Sequence, residues 1–106
     1  MMARHDVYRN ESTRSRQRFP YLLIVQSDLL EGLATVVIVP LGKPGVVEGK
    51  LAQTLTPRLD LEGEALVMYT PELAAVPVAA LRKRVGNLDN QCDAIQRALD
   101  FLFSGI

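Results

Sequence analysis

The sequence has no tryptophan, one cysteine and one histidine in 106 residues. A single cysteine cannot form an internal disulfide, and one cysteine with one histidine cannot supply the ligand set of a zinc site. Cys92 falls on an apolar helical stripe, where burial would make the thiol inert. His5 lies in the polar N-terminal stretch, where we expect a bystander rather than a general base. We therefore expect no metal, no cofactor and no catalytic residues.

Long apolar runs are also missing. The longest, Tyr21–Val25 and Val36–Val39, are far too short to cross a membrane, and residues 1–18 are too polar for the apolar core of a signal peptide. The single cysteine suits a reducing compartment. These features predict a soluble, cytoplasmic chain with no membrane partner. Its length is that of a single domain, residues 1–106, and a domain this small gains stability by dimerising.

Charge of one sign is not in excess, because 12 Lys and Arg are balanced by 12 Asp and Glu. No overall basic field therefore points to nucleic acid. The distribution is uneven, however, since residues 1–20 hold five arginines and only two carboxylates. Such a stretch is either a solvated, flexible hairpin or a patch that recruits an acidic peptide.

Motifs that would indicate catalysis are weak. Gly42–Gly45 lacks the spacing and the following hydroxyl of a nucleotide-binding loop. Metal-free ribonucleases work with arginines and one carboxylate, so Arg14, Arg16 and Asp28 leave that activity open. Nothing else in the sequence requires an enzyme, and we expect a protein that acts by binding another protein.

Short runs rich in branched and aromatic residues, separated by glycine and proline, predict a mainly β, α+β domain. We expect a tight turn at Gly32, an end to one strand at Pro40 and an interruption of another at Pro57. The expected strands or extended segments are Asp6–Arg9, Tyr21–Gln26, Thr35–Val39, Thr54–Leu61, Ala65–Tyr69 and Leu73–Val78.

One helix is predicted near the end of the sequence. Apolar residues recur at steps of four, three, four and three from Leu88 to Leu102, which is the spacing of one helix face. Asn87 or Asp89 is a suitable N-cap, and Gly105 a suitable C-terminal stop. Phe101 and Phe103 fall partly off this stripe, which predicts either core and dimer packing or an exposed binding surface.

Several strings in this order resemble the CcdB family, the toxin half of a bacterial toxin–antitoxin pair. The strings are Val25–Leu30 (VQSDLL), Val37–Leu41 (VIVPL), Ala75–Val78 (AVPV) and Asp100–Ile106 (DFLFSGI). The resemblance extends from about Val7 to Ile106. It implies an SH3-like barrel of antiparallel sheets with a C-terminal α-helix, assembled as a homodimer.

The resemblance also implies a function. A CcdB dimer enters the cavity between the two A subunits of DNA gyrase and traps the cleaved gyrase–DNA complex, a property that serves plasmid maintenance. A cognate, CcdA-like antitoxin wraps an acidic segment around the toxin and removes it. Contact with DNA is then only indirect, through gyrase or through the antitoxin complex that represses the operon.

Site residues follow from the matched positions. The gyrase contacts implied by the resemblance are Asp100, Phe103, Ser104, Gly105, Ile106, Ser27, Leu29 and Leu30. Arg9, Arg14 and Arg16 in the first hairpin are the implied contacts for antitoxin carboxylates. Well-known family members carry an aromatic Trp anchor where this sequence has Ser104.

Two other functions stay open at this point. The related MazF/Kid toxins share this barrel and are endoribonucleases, so an RNA-cleaving toxin is one alternative. A decayed homologue that retains only antitoxin binding and operon control is the other.

Overall fold

The architecture comes from a computed structural model that describes residues 2–45 and 50–105. Its seven strands pair antiparallel throughout, in the order β4-β5-β3-β2-β1-β7, with β6 also paired to β3. The strands are β1 Asp6–Arg9, β2 Tyr21–Ile24, β3 Thr35–Gly42, β4 Arg58–Leu61, β5 Glu64–Met68, β6 Ala74–Pro77 and β7 Arg84–Asn87. Helix α1 spans Lys50–Leu55 and helix α2 spans Cys92–Ser104. The curled sheet with its C-terminal helix confirms the predicted SH3-like α+β class.

The sheet buries side chains on both faces. Along β3, Val39 faces one cluster and Ile38 faces the other, as alternation along a strand requires. The larger cluster includes Ile95, Ala98 and Leu99 of α2, so this helix covers one face of the sheet. The smaller cluster, on the opposite face, is formed by Tyr8, Ile24, Val36, Ile38 and Leu81.

The prediction that β3 ends at Pro40 was wrong, because the strand continues to Gly42. The Pro40 carbonyl accepts a hydrogen bond from the Tyr69 amide at 3.0 Å. In an antiparallel strand the N–H and C=O of one residue point to the same side. On that side, β6 pairs with β3 only up to Ile38 and β5 begins at Leu41. Proline's missing donor therefore falls in the gap between two partner strands.

The predicted strand Thr54–Leu61 was wrong in its first part. Residues 50–55 form α1, and the strand β4 begins only at Arg58, after Pro57. The Thr56 hydroxyl and amide both donate to the Ala52 carbonyl, which closes the last turn of the helix. Alternating apolar residues misled the prediction because α1 packs against α2, which a local pattern does not reveal.

The remaining differences concern element ends. The predicted strand Tyr21–Gln26 ends at Ile24, and the extended segment around Pro77 is the shorter strand β6. Strand β7 was not predicted. Helix α2 begins at Cys92, after a 3₁₀ turn, and the Asn87 side chain accepts from the Asp89 amide at 2.7 Å. Gly105 ends the helix with φ 74°, as predicted.

Candidate functional site

Large hydrophobic side chains are exposed at two places in the described part of the chain. Leu29, Leu30 and Leu33 lie in the loop after β2, and Phe103 lies in the last turn of α2. Leu29 is 93% exposed and Phe103 is 70% exposed, so neither completes the core. Exposed apolar groups concentrated in this way are typical of a protein-binding surface.

The loop after β2, residues 28–33, is named the leucine loop here. It opens with a 3₁₀ turn, Asp28–Leu30, which Ser27 caps by accepting the Leu29 amide at 3.2 Å. Gly32 adopts φ 94°, as the predicted tight turn requires. The cap and the turn hold the backbone while the leucine side chains point away from the core.

The exposed face of α2 carries the second group. Gln96, Asp100 and Phe103 recur at steps of four and three, so they lie along one face of the helix. The Gln96 side-chain amide donates to the Asp100 carboxylate at 2.9 Å. Ser104 and Gly105 are exposed at the end of the same helix. Ile106, the last predicted gyrase contact, lies outside the described residues.

Arg4 connects the leucine loop to α2. Its backbone amide donates to the Asp28 carboxylate at 2.5 Å, and its guanidinium donates to the Gln96 side-chain carbonyl at 2.6 Å. Sequence reasoning missed both Arg4 and Gln96. The four-residue step from Gln96 to Asp100 places both residues on one helix face, so the sequence could have indicated Gln96. Nothing in the sequence indicates that Arg4 contacts the leucine loop or α2. Arg4 thus bridges the leucine loop and the exposed face of α2.

The predicted antitoxin contacts lie on and beyond β1. Arg9, Arg14 and Arg16 are exposed. The loop that carries the last two is ordered around the buried Asn10, whose side-chain amide donates to the Phe19 carbonyl at 2.7 Å and to the Ser15 hydroxyl at 3.0 Å. The loop backbone is folded back by these hydrogen bonds while the arginine side chains stay in solvent.

The hairpin and the leucine loop are at opposite ends of the same two strands. The hairpin joins the end of β1 to the start of β2, and the leucine loop follows the end of β2. A four-residue strand is about 13 Å long. Arg14 and Arg16 are thus separated from Asp28 by the strand length, so the fold does not assemble the ribonuclease triad that the sequence left open.

Two N-terminal titratable groups, His5 and Asp6, are buried although they lie in a polar stretch of the sequence. His5 is 3% exposed and adopts φ 71°, and its Nδ1 lies 2.9 Å from an Asp89 carboxylate oxygen. It serves as a structural contact between the start of β1 and the approach to α2. The expectation that Cys92 is buried was wrong, since its side chain is only half-buried.

Asp6 is the most enclosed carboxylate of this region. Burial alone would raise its pKa, but hydrogen bonds from the Asn87 side chain, the Ala3 amide and the Arg84 guanidinium hold the pKa below its usual value. Burial, with the nearby Asp6 charge, raises the pKa of the Tyr8 hydroxyl. These groups organise the N-terminal segment, and their charges are satisfied within the fold.

Among the residues that the structure describes, no three His, Cys, Asp or Glu side chains come together in a group that could hold a metal ion. Over the same ranges, 2–45 and 50–105, no helix has the length and apolar character required to span a membrane.

Comparison with known proteins adds two findings. A family model described as CcdB protein matches residues 4–105 of the chain. Among solved structures, the fold is similar to that of an endoribonuclease in complex with its cognate antitoxin from a mycobacterial species, with a TM-score of 0.77. That alignment covers 97% of this chain and 95% of the other at 17% sequence identity, so the likeness establishes a shared fold and no shared activity.

Proposed function

Because the chain belongs to the CcdB family of toxin–antitoxin toxins, we propose that it binds the A subunit of DNA gyrase and traps the gyrase–DNA cleavage complex. In this proposal the protein is a poison of a type II topoisomerase and performs no chemistry of its own. A cognate antitoxin neutralises it, and both act in the cytoplasm.

One observation carries the proposal. The large exposed hydrophobic side chains of the described chain are Leu29, Leu30, Leu33 and Phe103, and three of these four positions are those that the family resemblance assigns to gyrase. Burying such side chains in a partner is worth about 1.5–3 kcal/mol each. A surface that exposes them without a partner would be a liability for a small protein.

The link through Arg4 supports a single, preorganised contact surface. Arg4 holds the leucine loop by Asp28 and holds the exposed face of α2 by Gln96. A surface whose two parts are already fixed relative to each other loses less conformational entropy on binding. In a homodimer, two copies of this surface would engage both gyrase A subunits, which raises the avidity through effective concentration.

Ser104 weakens this surface relative to family members with Trp. A lost aromatic anchor removes about 2–4 kcal/mol of binding free energy. Phe103, the adjacent and strongly exposed residue, is the group that we propose as the anchor of this chain. Asp100 supplies a carboxylate one helical turn before it for a cation on gyrase.

The antitoxin contact is proposed at the first hairpin. Arg9, Arg14 and Arg16 are exposed, and no carboxylate of the described chain is paired with them. Exposed guanidinium groups without a carboxylate partner are suited to bind the carboxylates of an acidic antitoxin segment.

The proposal is tested by a DNA cleavage assay with purified gyrase of the host and ATP. We expect linear DNA to accumulate with the parent protein, and Phe103→Gln or Gly105→Glu to reduce accumulation at equal concentration by about tenfold or more, since a hot-spot anchor carries 2 kcal/mol or more. Asp93→Asn is the matched control, because Asp93 is exposed at the other end of the same helix.

Accumulation of linear DNA that is equal for the parent and for both variants would exclude this surface as the contact. No cleavage complex with the parent at any concentration would exclude gyrase poisoning. Cleavage of RNA by the same preparation would then favour an endoribonuclease, which is the activity of the structurally similar mycobacterial toxin. Antitoxin binding without either activity would favour a decayed homologue.

A further inference from the structure

Gln96 lies between a cation and a carboxylate on the exposed face of α2. Its side-chain carbonyl accepts a hydrogen bond from the Arg4 guanidinium at 2.6 Å, and its side-chain amide donates to the Asp100 carboxylate at 2.9 Å. Residues four positions apart on a helix are close enough for such a bond between side chains. The three side chains therefore form one chain of hydrogen bonds, which runs from the N-terminal segment to the last turns of α2.

This position requires a side chain that is both a donor and an acceptor. A guanidinium group only donates hydrogen bonds, and an ionised carboxylate only accepts them. The amide of Gln96 satisfies both neighbours in a single orientation, with its oxygen towards Arg4 and its nitrogen towards Asp100. A carboxylate in its place would repel Asp100, and an ammonium group would repel Arg4.

The charge of Asp100 stays available in this arrangement. Gln96 separates Asp100 from Arg4, and Asp100 forms no ion pair within residues 2–45 and 50–105. The Gln96 amide holds one carboxylate oxygen, Oδ1, and over the same ranges no hydrogen bond uses the second oxygen. Phe103 lies one turn further along the same face and is also exposed. A fixed negative charge and an apolar side chain are thus presented next to each other.

We propose that Gln96 is a positioning residue for gyrase binding. It directs the Asp100 carboxylate towards a cation of the gyrase A subunit, and Arg4 fixes the orientation of the Gln96 amide. The inference rests on the proposed gyrase binding and adds to it a residue that sequence reasoning missed. It also adds a specificity, because a carboxylate held in one direction selects a partner that has a positive charge at the matching place.

Holding Asp100 before gyrase binds has a measurable consequence. A side chain that is already immobilised loses less rotamer freedom when its partner arrives. Loss of the Gln96 bond should therefore weaken gyrase binding by about two- to tenfold, which is the effect of immobilising one more side chain. Loss of Asp100 itself removes the charged contact and should weaken binding by about tenfold or more.

The test measures the affinity of the purified gyrase A subunit of the host for the parent protein and its variants. Gln96→Met removes the donor and the acceptor but has nearly the same helix propensity, so α2 is preserved. We expect this variant to bind about two- to tenfold more weakly than the parent. Gln53→Met is the matched control, because Gln53 is exposed on α1 and lies beside Ala94 and Arg97, away from the Gln96 face of α2.

A double-mutant cycle separates positioning from direct contact and from a purely structural role. If Gln96 acts through Asp100, adding Gln96→Met to Asp100→Ala should weaken binding no further than Asp100→Ala alone. Titrations at about 50 and about 300 mM NaCl report the charge of Asp100, because this range screens exposed charges. We expect Asp100→Ala to flatten the salt dependence. Thermal unfolding of each variant verifies that it is folded.

The outcomes distinguish this inference from the gyrase proposal. A parent that binds the A subunit with the same affinity as Gln96→Met, or losses that simply add in the double variant, would overturn the inference and leave the gyrase proposal standing. An equal loss in Gln53→Met would overturn it as well. A parent that does not bind the A subunit at all removes the gyrase proposal and the inference with it. A loss in Gln96→Met that disappears in the Asp100→Ala background supports both.

Discussion

At the scale of single residues, the end of β3 depends on the absence of a side chain. Gly42 is buried, and a Cβ built there would lie 2.8 Å from the Arg18 carbonyl oxygen and 2.9 Å from the Tyr69 ring. The ring is itself fixed by an edge-on contact with Phe19, with centroids 5.2 Å apart. Neither neighbour moves freely, so the close approach of the hairpin to β3 requires glycine.

We therefore expect Gly42→Ala to lower the free energy of unfolding by about 1–3 kcal/mol, as overpacking does. Gly45→Ala is the control, because its nearest contact would be at 3.9 Å, an ordinary van der Waals distance. Urea unfolding followed by circular dichroism measures both. Equal midpoints for the two variants would show that the hairpin shifts to make room.

At the scale of elements, Asp6 connects three parts of the chain. It accepts hydrogen bonds from the Ala3 amide before β1, and from Arg84 and Asn87 of β7. Strand β7 is an edge strand that pairs only with β1 among the described strands. The buried carboxylate thus supplements the backbone pairing that holds β7 on the sheet.

The Asp6 pKa gives this element a defined pH dependence. Because the pKa of Asp6 in the folded protein lies below its ordinary value of 3.8, ionised Asp6 stabilises the fold above that pH, and the contribution is lost as the pH falls through the folded pKa. We expect Asp6→Asn to be less stable than the parent by about 1–3 kcal/mol at neutral pH, the scale of hydrogen bonds to a charged group.

Urea unfolding of the parent and Asp6→Asn between about pH 7 and about pH 2.5 checks this expectation. The difference between the two proteins should stay constant down to about pH 5 and then decrease through the range below 3.8. A difference that does not change with pH would mean that the carboxylate charge contributes nothing to the fold.

At the scale of the whole molecule, the exposed edge of β6 is the surface that we expect a second copy to contact. Ala74, Ala75, Val76 and Pro77 are all apolar, and three of them are exposed. β6 pairs with β3 on one side and with no second strand of the described sheet. An open, apolar strand edge promotes pairing with another chain. We infer that β6 belongs to the interface of the proposed homodimer.

Sedimentation equilibrium tests this inference. The parent should have twice the 11.7 kDa of one chain at micromolar concentration. Ala75→Lys should weaken the dimer by about tenfold or more, because a charge placed in an apolar interface is costly to desolvate. Ala65→Lys, an exposed alanine on β5, is the control. A parent that remains at 11.7 kDa, or a dimer that is indifferent to Ala75→Lys, contradicts the inference.

Local signals in the sequence were sufficient for much of the fold. Branched residues bounded by glycine and proline located the strands, and the apolar spacing with Gly105 located α2. The resemblance in VQSDLL and DFLFSGI singled out the leucine loop and the end of α2, and Arg4 bridges that loop to Gln96 of the same helix. These features were accessible because each depends on residues within about one turn or one strand of each other.

Tertiary structure alone decided the rest. Pro40 stays inside β3 because its missing donor falls between two partner strands, and α1 forms where it packs on α2. Arg84 and Asn87 reach Asp6 because β7 pairs with β1, over seventy positions away in the chain. Composition and spacing indicate the local conformation that neighbouring residues favour. The outcomes above depend instead on contacts with residues far away in the chain, which supply the partner for each hydrogen bond and charge.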